Sequence, residues 1–186
     1  MSRQYFEDLL TDPPLANLTA FTTSATETAL WNQQQFSPIH SFDGYRGAGK
    51  TYKLLAGGVF STAASPGTAT ITPRLGISAT PASNILLGAS VAQTLPASIP
   101  SSPWFMQAVL VVRSVGAPGA NSTVMLIGQF QGAGLAGTAA SNVSITFGGT
   151  AGTVDLSIEQ AVAIDWTWSV TGDSITPYFV IMQSVN

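Results

Sequence analysis

PWFMQAVLVVRSV (Pro103 to Val115), then GAPGAN at 116–121, then STVMLIGQF (Ser122 to Phe130) decides how the rest of the chain is read. Ala108-Val109-Leu110-Val111-Val112 is the strongest apolar run in the sequence. Its β-branched side chains suit a pleated strand better than a helix, where they lose χ1 freedom. Gly116-Ala117-Pro118-Gly119 supplies turn chemistry between the two apolar runs, so the segment predicts a β-hairpin. Gly128 predicts a bulge in its second strand.

The same reading extends in both directions. Upstream lie TYKLLAGGVF (Thr51 to Phe60), whose Gly57-Gly58 pair predicts a bulge or bend, and TATITPRLGI (Thr68 to Ile77) after a Pro66-Gly67 turn, with a short run at Ser83 to Ala89. Downstream, a Gly/Ala-rich loop (Gly132 to Ala140) precedes Ser141 to Phe147, a Gly148-Gly149 turn and Thr153 to Leu156. AVAIDWTWSV (Ala161 to Val170) alternates, with Val162, Ile164, Trp166 and Trp168 on one face and Ala163, Asp165, Thr167 and Ser169 on the other. TPYFVIMQSV (Thr176 to Val185) closes the series. Eight or more short strands about ten residues apart, with no helical connections, predict an all-β fold. The expected form is an antiparallel β-sandwich, jelly-roll-like, over 41–186. Pro73 and Pro177 fit best on edge strands or at strand starts.

Residues 1–40 read as an extended N-terminal arm. A short helix is expected within 1–14, with Phe6, Leu9 and Leu10 on one side and a stop at Pro13-Pro14. A helix this short needs a partner surface. Ala29-Leu30-Trp31 is the expected anchor for the first short strand.

Charge is scarce. Between Arg74 and Asp155, a stretch of 80 residues, the only ionisable side chain is Arg113, and Asp, Glu, Lys and Arg make up 8% of the 186 residues. A soluble monomer usually carries about a quarter. Much of the surface is therefore uncharged, and some of it is expected to lie against other chains. The net charge of −3 and six scattered basic residues oppose a nucleic-acid partner. With no Cys there is neither a disulfide framework nor a thiolate metal site, and His40 is the sole histidine. Ile85 to Ile99 is too short and too interrupted to cross a bilayer, so no membrane partner is expected. The acidic start has no secretory h-region.

Gly44-Tyr45-Arg46-Gly47-Ala48-Gly49-Lys50-Thr51 matches the phosphate-loop pattern G-x-x-x-x-G-K-[ST]. That chemistry needs a buried strand before the loop and a helix after it, whose N-terminal N–H groups receive phosphate. Ser37 to Asp43 cannot make such a strand, and Gly57-Gly58 with Val59 and Phe60 oppose the helix. The match at Gly44, Gly49, Lys50 and Thr51 is rejected as a turn entering a strand, and no cofactor is expected.

Asp155, Glu159 and Asp165 form the only acidic cluster of the C-terminal half. A hydrolase would need Asp155 and Asp165 across one cleft, about 5–10 Å apart. Calcium would need carbonyl help. Solvated acids at turns and edges are the expected reading. Trp31, Trp104, Trp166 and Trp168 read as core or inter-subunit packing more readily than as a sugar-binding surface. Arg113, an isolated charge in an apolar strand, either ends at solvent or meets an acid of a neighbouring subunit. Arg113, Trp166 and Trp168 are thus the inter-subunit candidates.

The chain resembles the minor capsid or head-decoration proteins of tailed bacteriophages, especially those infecting actinobacteria. The resemblance rests on Thr26-Glu27-Thr28-Ala29-Leu30-Trp31, on Lys50 to Val59, on Trp104 with Val111 to Gly116, and on Ala163 to Ser169. It spans roughly residues 26–185 and concerns overall pattern. It implies a jelly-roll-like domain, assembled as a homotrimer on the outer surface of the phage head and contacting the major capsid protein without catalysis. On that reading the protein resides in the virion, and in the host cytoplasm during assembly. Phe6, Leu9 and Leu10 are the candidate capsid contacts, ordering on binding. The competing expectation is a tail-fibre or head-fibre domain that binds a receptor or surface glycan, which requires Trp104 or Trp31 to face solvent.

Overall fold

The computed structural model describes residues 8–9, 20–22, 26–31, 48–65, 67–119, 122–133 and 142–185. Their alternating runs become two antiparallel sheets packed as a sandwich. The strands are β1 (Asp8–Leu9), β2 (Phe21–Thr22), β3 (Thr28–Ala29), β4 (Thr51–Ser61), β5 (Thr68–Leu75), β6 (Ile85–Leu86), β7 (Gln93–Thr94), β8 (Ser102–Ser114), β9 (Ser122–Gly132), β10 (Val143–Val154), β11 (Val162–Trp168) and β12 (Ser174–Val185). The larger sheet has seven strands in the order β1-β12-β4-β8-β9-β10, with β2 also on β12. The smaller has five, in the order β3-β11-β5-β6, with β7 also on β5.

The expected hairpin is β8–β9, in register from Trp104↔Gly132 to Ser114↔Thr123. It continues into β10, so three consecutive strands form a meander within one sheet. Elsewhere the chain passes between the sheets, from β4 to β5, from β7 to β8, from β10 to β11 and from β11 to β12.

Local glycine chemistry departs from expectation in three places. Gly148-Gly149 does not turn the chain: β10 runs through it, with a register shift between Gly148 and Ala151. Both glycines have positive φ, +89° and +91°, which side-chain-bearing residues rarely adopt. The bulge turns β10 toward the other sheet, where Gly148 N–H donates to Gly88 O (2.8 Å) and Thr150 N–H to Leu87 O (3.2 Å). At Gly57-Gly58, β4 stays regular, and the extra residue sits on β12, where the register shifts between Pro177 and Phe179. Pro177 thus lies at a bulge inside β12, where its missing N–H breaks no regular ladder. Gly128 also lies in regular register. A Cβ there would meet the Phe147 ring and the Ala108 methyl, so this glycine makes room for core packing.

Of the helix expected within 1–14 only Asp8–Leu9 falls among the described residues, and these two are extended and pair with Ser184 and Gln183 of β12. The long unpaired edge of β12 offers main-chain hydrogen bonds that a one-sided short helix cannot match. Phe6 and Leu10 lie outside the described residues. Ala29-Leu30-Trp31 anchors as expected: β3 pairs with Asp165 and Trp166 of β11, and Leu30 and Trp31 are buried.

The core lies between the sheets. Every second residue of β8 from Trp104 to Val112 is buried, as are Val124, Leu126 and Phe130 of β9. Facing them are Ile71 and Leu75 of β5 and Ile164, Trp166 and Trp168 of β11. An aromatic chain crosses the sandwich: Trp104 stacks on Phe130 at 5.5 Å, Phe130 meets Trp166 edge-on at 5.0 Å, and Trp166 lies 5.1 Å from Trp168. The assignment of Trp166 and Trp168 to a subunit interface is therefore corrected. They are 1% and 0% exposed within one chain and have no surface to offer a neighbour.

Candidate functional site

The outward face of the seven-stranded sheet stands out because it is apolar and no described residue covers its centre. In β8 the residues between the buried ones include Phe105, Gln107 and Val109, all three exposed, and β9 adds Ile127. Phe105, Val109 and Ile127 are 42%, 41% and 57% exposed, high for large apolar side chains near the middle of a sheet. Register places them in rows across the strands. Gln183, Lys53, Val109 and Ile127 form one row, and Ile181, Leu55, Gln107, Gln129 and Thr146 the next. Between these rows the twisted sheet forms a shallow depression of about 620 Å³. Lys53 and Arg113 are the only Asp, Glu, Lys or Arg residues in β4, β8, β9, β10 and β12. The face is thus apolar and amide-rich, with two cations and no carboxylate contributed by these strands.

Arg113 is exposed at the end of this face. It occupies the register shift between Val112 and Ser114, and its guanidinium donates to Met125 Sδ at 3.3 Å. Phe105, Val109 and Ile127 escaped the sequence reading although the signal was present. PWFMQAVLVVRSV is apolar at both odd and even positions, and a strand apolar on both faces is the mark of a sheet covered twice.

The other candidates fall in separate places. Asp155, in the turn after β10, accepts hydrogen bonds from the backbone N–H and hydroxyl of Ser157, which hold its carboxyl below the ordinary range. Asp165 lies instead in β11, fully buried, with Glu27 and Arg74 as its charged neighbours. Asp165 has no exposed surface to share with Asp155 across a substrate cleft, so the carboxylate pair a hydrolase would need is not assembled. Among the described residues no three His, Cys, Asp or Glu gather to hold a metal. His40 and Gly44 lie outside the described residues. After the phosphate-loop letters the chain enters β4, where a nucleotide site would need a helix N-terminus. The Gly49 N–H is already bonded to Val112 O at 2.7 Å. Trp31 and Trp104 are 3% and 4% exposed, so neither supplies the solvent-facing aromatic platform that glycan binding required.

Sequence reading also missed the cluster around Asp165. Arg74 of β5 grips the Glu27 carboxylate bidentately through Nε and Nη2, donates from Nη1 to Asn84 O (2.9 Å), and places Nε 3.5 Å from Asp165 Oδ2. Neither Asp165 oxygen has a hydrogen-bond partner among the described residues. Burial, reinforced by the nearby Glu27 carboxylate, pushes the Asp165 carboxyl up to about 8. The Arg74 hydrogen bond holds Glu27 below the usual carboxylate range.

No protein-family model matches the chain. No curated protein sequence matches it. Among solved structures, a chain from "Structure of infectious bursal disease virus Gt strain" aligns over 98% of this chain and 42% of its own length, at 11% identity and a TM-score of 0.16. This chain therefore spans about two fifths of that viral chain. A TM-score so low carries no argument about fold or function.

Proposed function

We propose that the protein is a non-enzymatic structural component of a phage virion, a capsid decoration (cement) or minor capsid protein that assembles as a homotrimer on the outside of the head. The observation that carries this reading is the uncovered, carboxylate-free face of β4, β8 and β9. Such a face gains by burial against another protein, at about 25 cal/mol per Å² of apolar area removed from water. A subunit that binds only the assembled lattice stabilises it by mass action. Closed three-fold packing also ends an association that would otherwise run on as a filament. The overall pattern of strands and landmarks that resembles head-decoration proteins is consistent with this role. The major capsid protein is the proposed partner, and the arm bearing Phe6, Leu9 and Leu10 is the proposed contact.

Native mass spectrometry and sedimentation on the purified chain test the assembly. A trimer is expected, and Val109→Glu with Ile127→Glu should weaken its association at least ~100-fold, about 2.7 kcal/mol, while circular dichroism keeps the β signature. A wild-type chain that stays monomeric at ~100 µM overturns the trimer. Deleting residues 1–20 should leave a folded trimer that no longer co-sediments with heads lacking the protein. Normal co-sedimentation would rule out the arm as the contact.

A further inference from the structure

The Glu27–Arg74–Asp165 cluster stands on the smaller sheet, away from the face just described, and its chemistry is independent of that face. Glu27 immediately precedes β3, Arg74 belongs to β5 and Asp165 to β11. Asp165 is in register with Ala29 of β3 on one side and Thr72 of β5 on the other. β3 is held besides by a two-residue pairing, by Leu30 N–H donating to Ile164 O at 3.0 Å and by the burial of Leu30 and Trp31 in the core. Among the described residues the charged groups facing Asp165 are Glu27 and Arg74, since its register partners Ala29 and Thr72 do not titrate. Two carboxyls share one guanidinium in a site where Asp165 is 0% exposed. With one proton on Asp165 the cluster is neutral. Without it the cluster carries an extra buried negative charge beside a guanidinium already bonded to Glu27, an unfavourable arrangement.

We propose that Glu27, Arg74 and Asp165 form a proton-dependent clasp that holds the β3 segment on the five-stranded sheet, tight when the Asp165 carboxyl is protonated and loosened when it loses that proton. The sign follows from linkage. Asp165 keeps its proton in the closed state up to about pH 8, whereas a released segment leaves it near the ordinary carboxylate value of about 4. Its contribution is therefore fully present below about pH 4, is lost as pH rises, and stops changing above about pH 8. Glu27, with its lowered value, acts oppositely and only at acid pH, where its protonation breaks the pair with Arg74. The clasp is tightest at mildly acid pH.

Hydrogen exchange of the Leu30 amide, corrected for the intrinsic pH dependence, reads the clasp directly. The Val112 amide, bonded to Lys50 O at 2.9 Å in the larger sheet, is the internal reference. Between pH 5 and 8 the opening of Leu30 should rise by up to ~10-fold per unit and then level off, with Val112 unaffected. Asp165→Asn, an uncharged isostere of the protonated acid, should flatten that profile. If Asp165→Asn does not fold, Glu27→Gln serves: it frees Arg74 for Asp165 and should move the transition toward the ordinary carboxylate range. A flat wild-type profile, or an identical slope in wild type and a folded variant, overturns the clasp.

Discussion

Trp166→Ala is expected to lower the unfolding free energy by about 3–5 kcal/mol and the melting temperature by on the order of 10 °C. Trp166 is the middle of the aromatic chain that joins the sheets, touching Phe130 of β9 on one side and Trp168 of β11 on the other. Removing it opens a cavity between two rigid sheets, and close-packed sheets collapse poorly around a void. Trp166→Phe should cost far less, under about 1.5 kcal/mol. It keeps a ring against Phe130 and removes an indole N–H that has no partner among the described residues. Urea titrations followed by circular dichroism measure both. A cost below about 1 kcal/mol for the alanine variant would show that the aromatic chain is not what holds the sheets together.

The second large effect is expected at Gly58→Ala, at about 3 kcal/mol or failure to accumulate soluble protein. A Cβ at this position would fall on the carbonyl oxygen of Thr176 and within 2.9 Å of Pro177 Cα, both main-chain atoms of the neighbouring strand. Neither can rotate aside as a flexible side chain would, so β4 and β12 must separate where the bulge already weakens their ladder. Gly149→Ala is the control, since its Cβ meets nothing within 4 Å and only the positive φ opposes it, at roughly 1 kcal/mol. The two variants separate steric exclusion from backbone strain. Equal costs would contradict the assignment of Gly58 to close strand approach.

Strand positions were readable because alternation and turn residues act locally. Pro103 to Val115 became β8 (Ser102–Ser114) and Ala161 to Val170 became β11 (Val162–Trp168) for that reason. What one residue does to a distant strand was not readable. Gly57-Gly58 signalled an irregularity, but the inserted residue belonged to β12, more than a hundred positions away in the sequence. Gly148-Gly149 had the letters of a turn, and only the acceptors at Leu87 and Gly88 make it a bulge. The arm showed the same limit: Asp8–Leu9 carries no strand pattern of its own and takes its conformation from the β12 edge. For the candidate face, scarce charge pointed to assembly, whereas the choice between inward and outward tryptophans depended on packing. Trp166 and Trp168 lie on the inner side because their strand runs along Ile71 and Ala69 of β5, whose side chains are themselves wholly buried. The acid cluster divided for a topological reason, since Asp155 ends one sheet and Asp165 lies inside the other.

The cross-links from Gly148 and Thr150 to Gly88 and Leu87 make the sandwich behave like a book with a sewn spine. Side chains between two sheets slip past one another under sideways stress, whereas a main-chain bond must rupture first. A push on the broad apolar plate is therefore relayed into the smaller sheet through the polypeptide itself. Stiffness against shear is thus built into the backbone of the single chain.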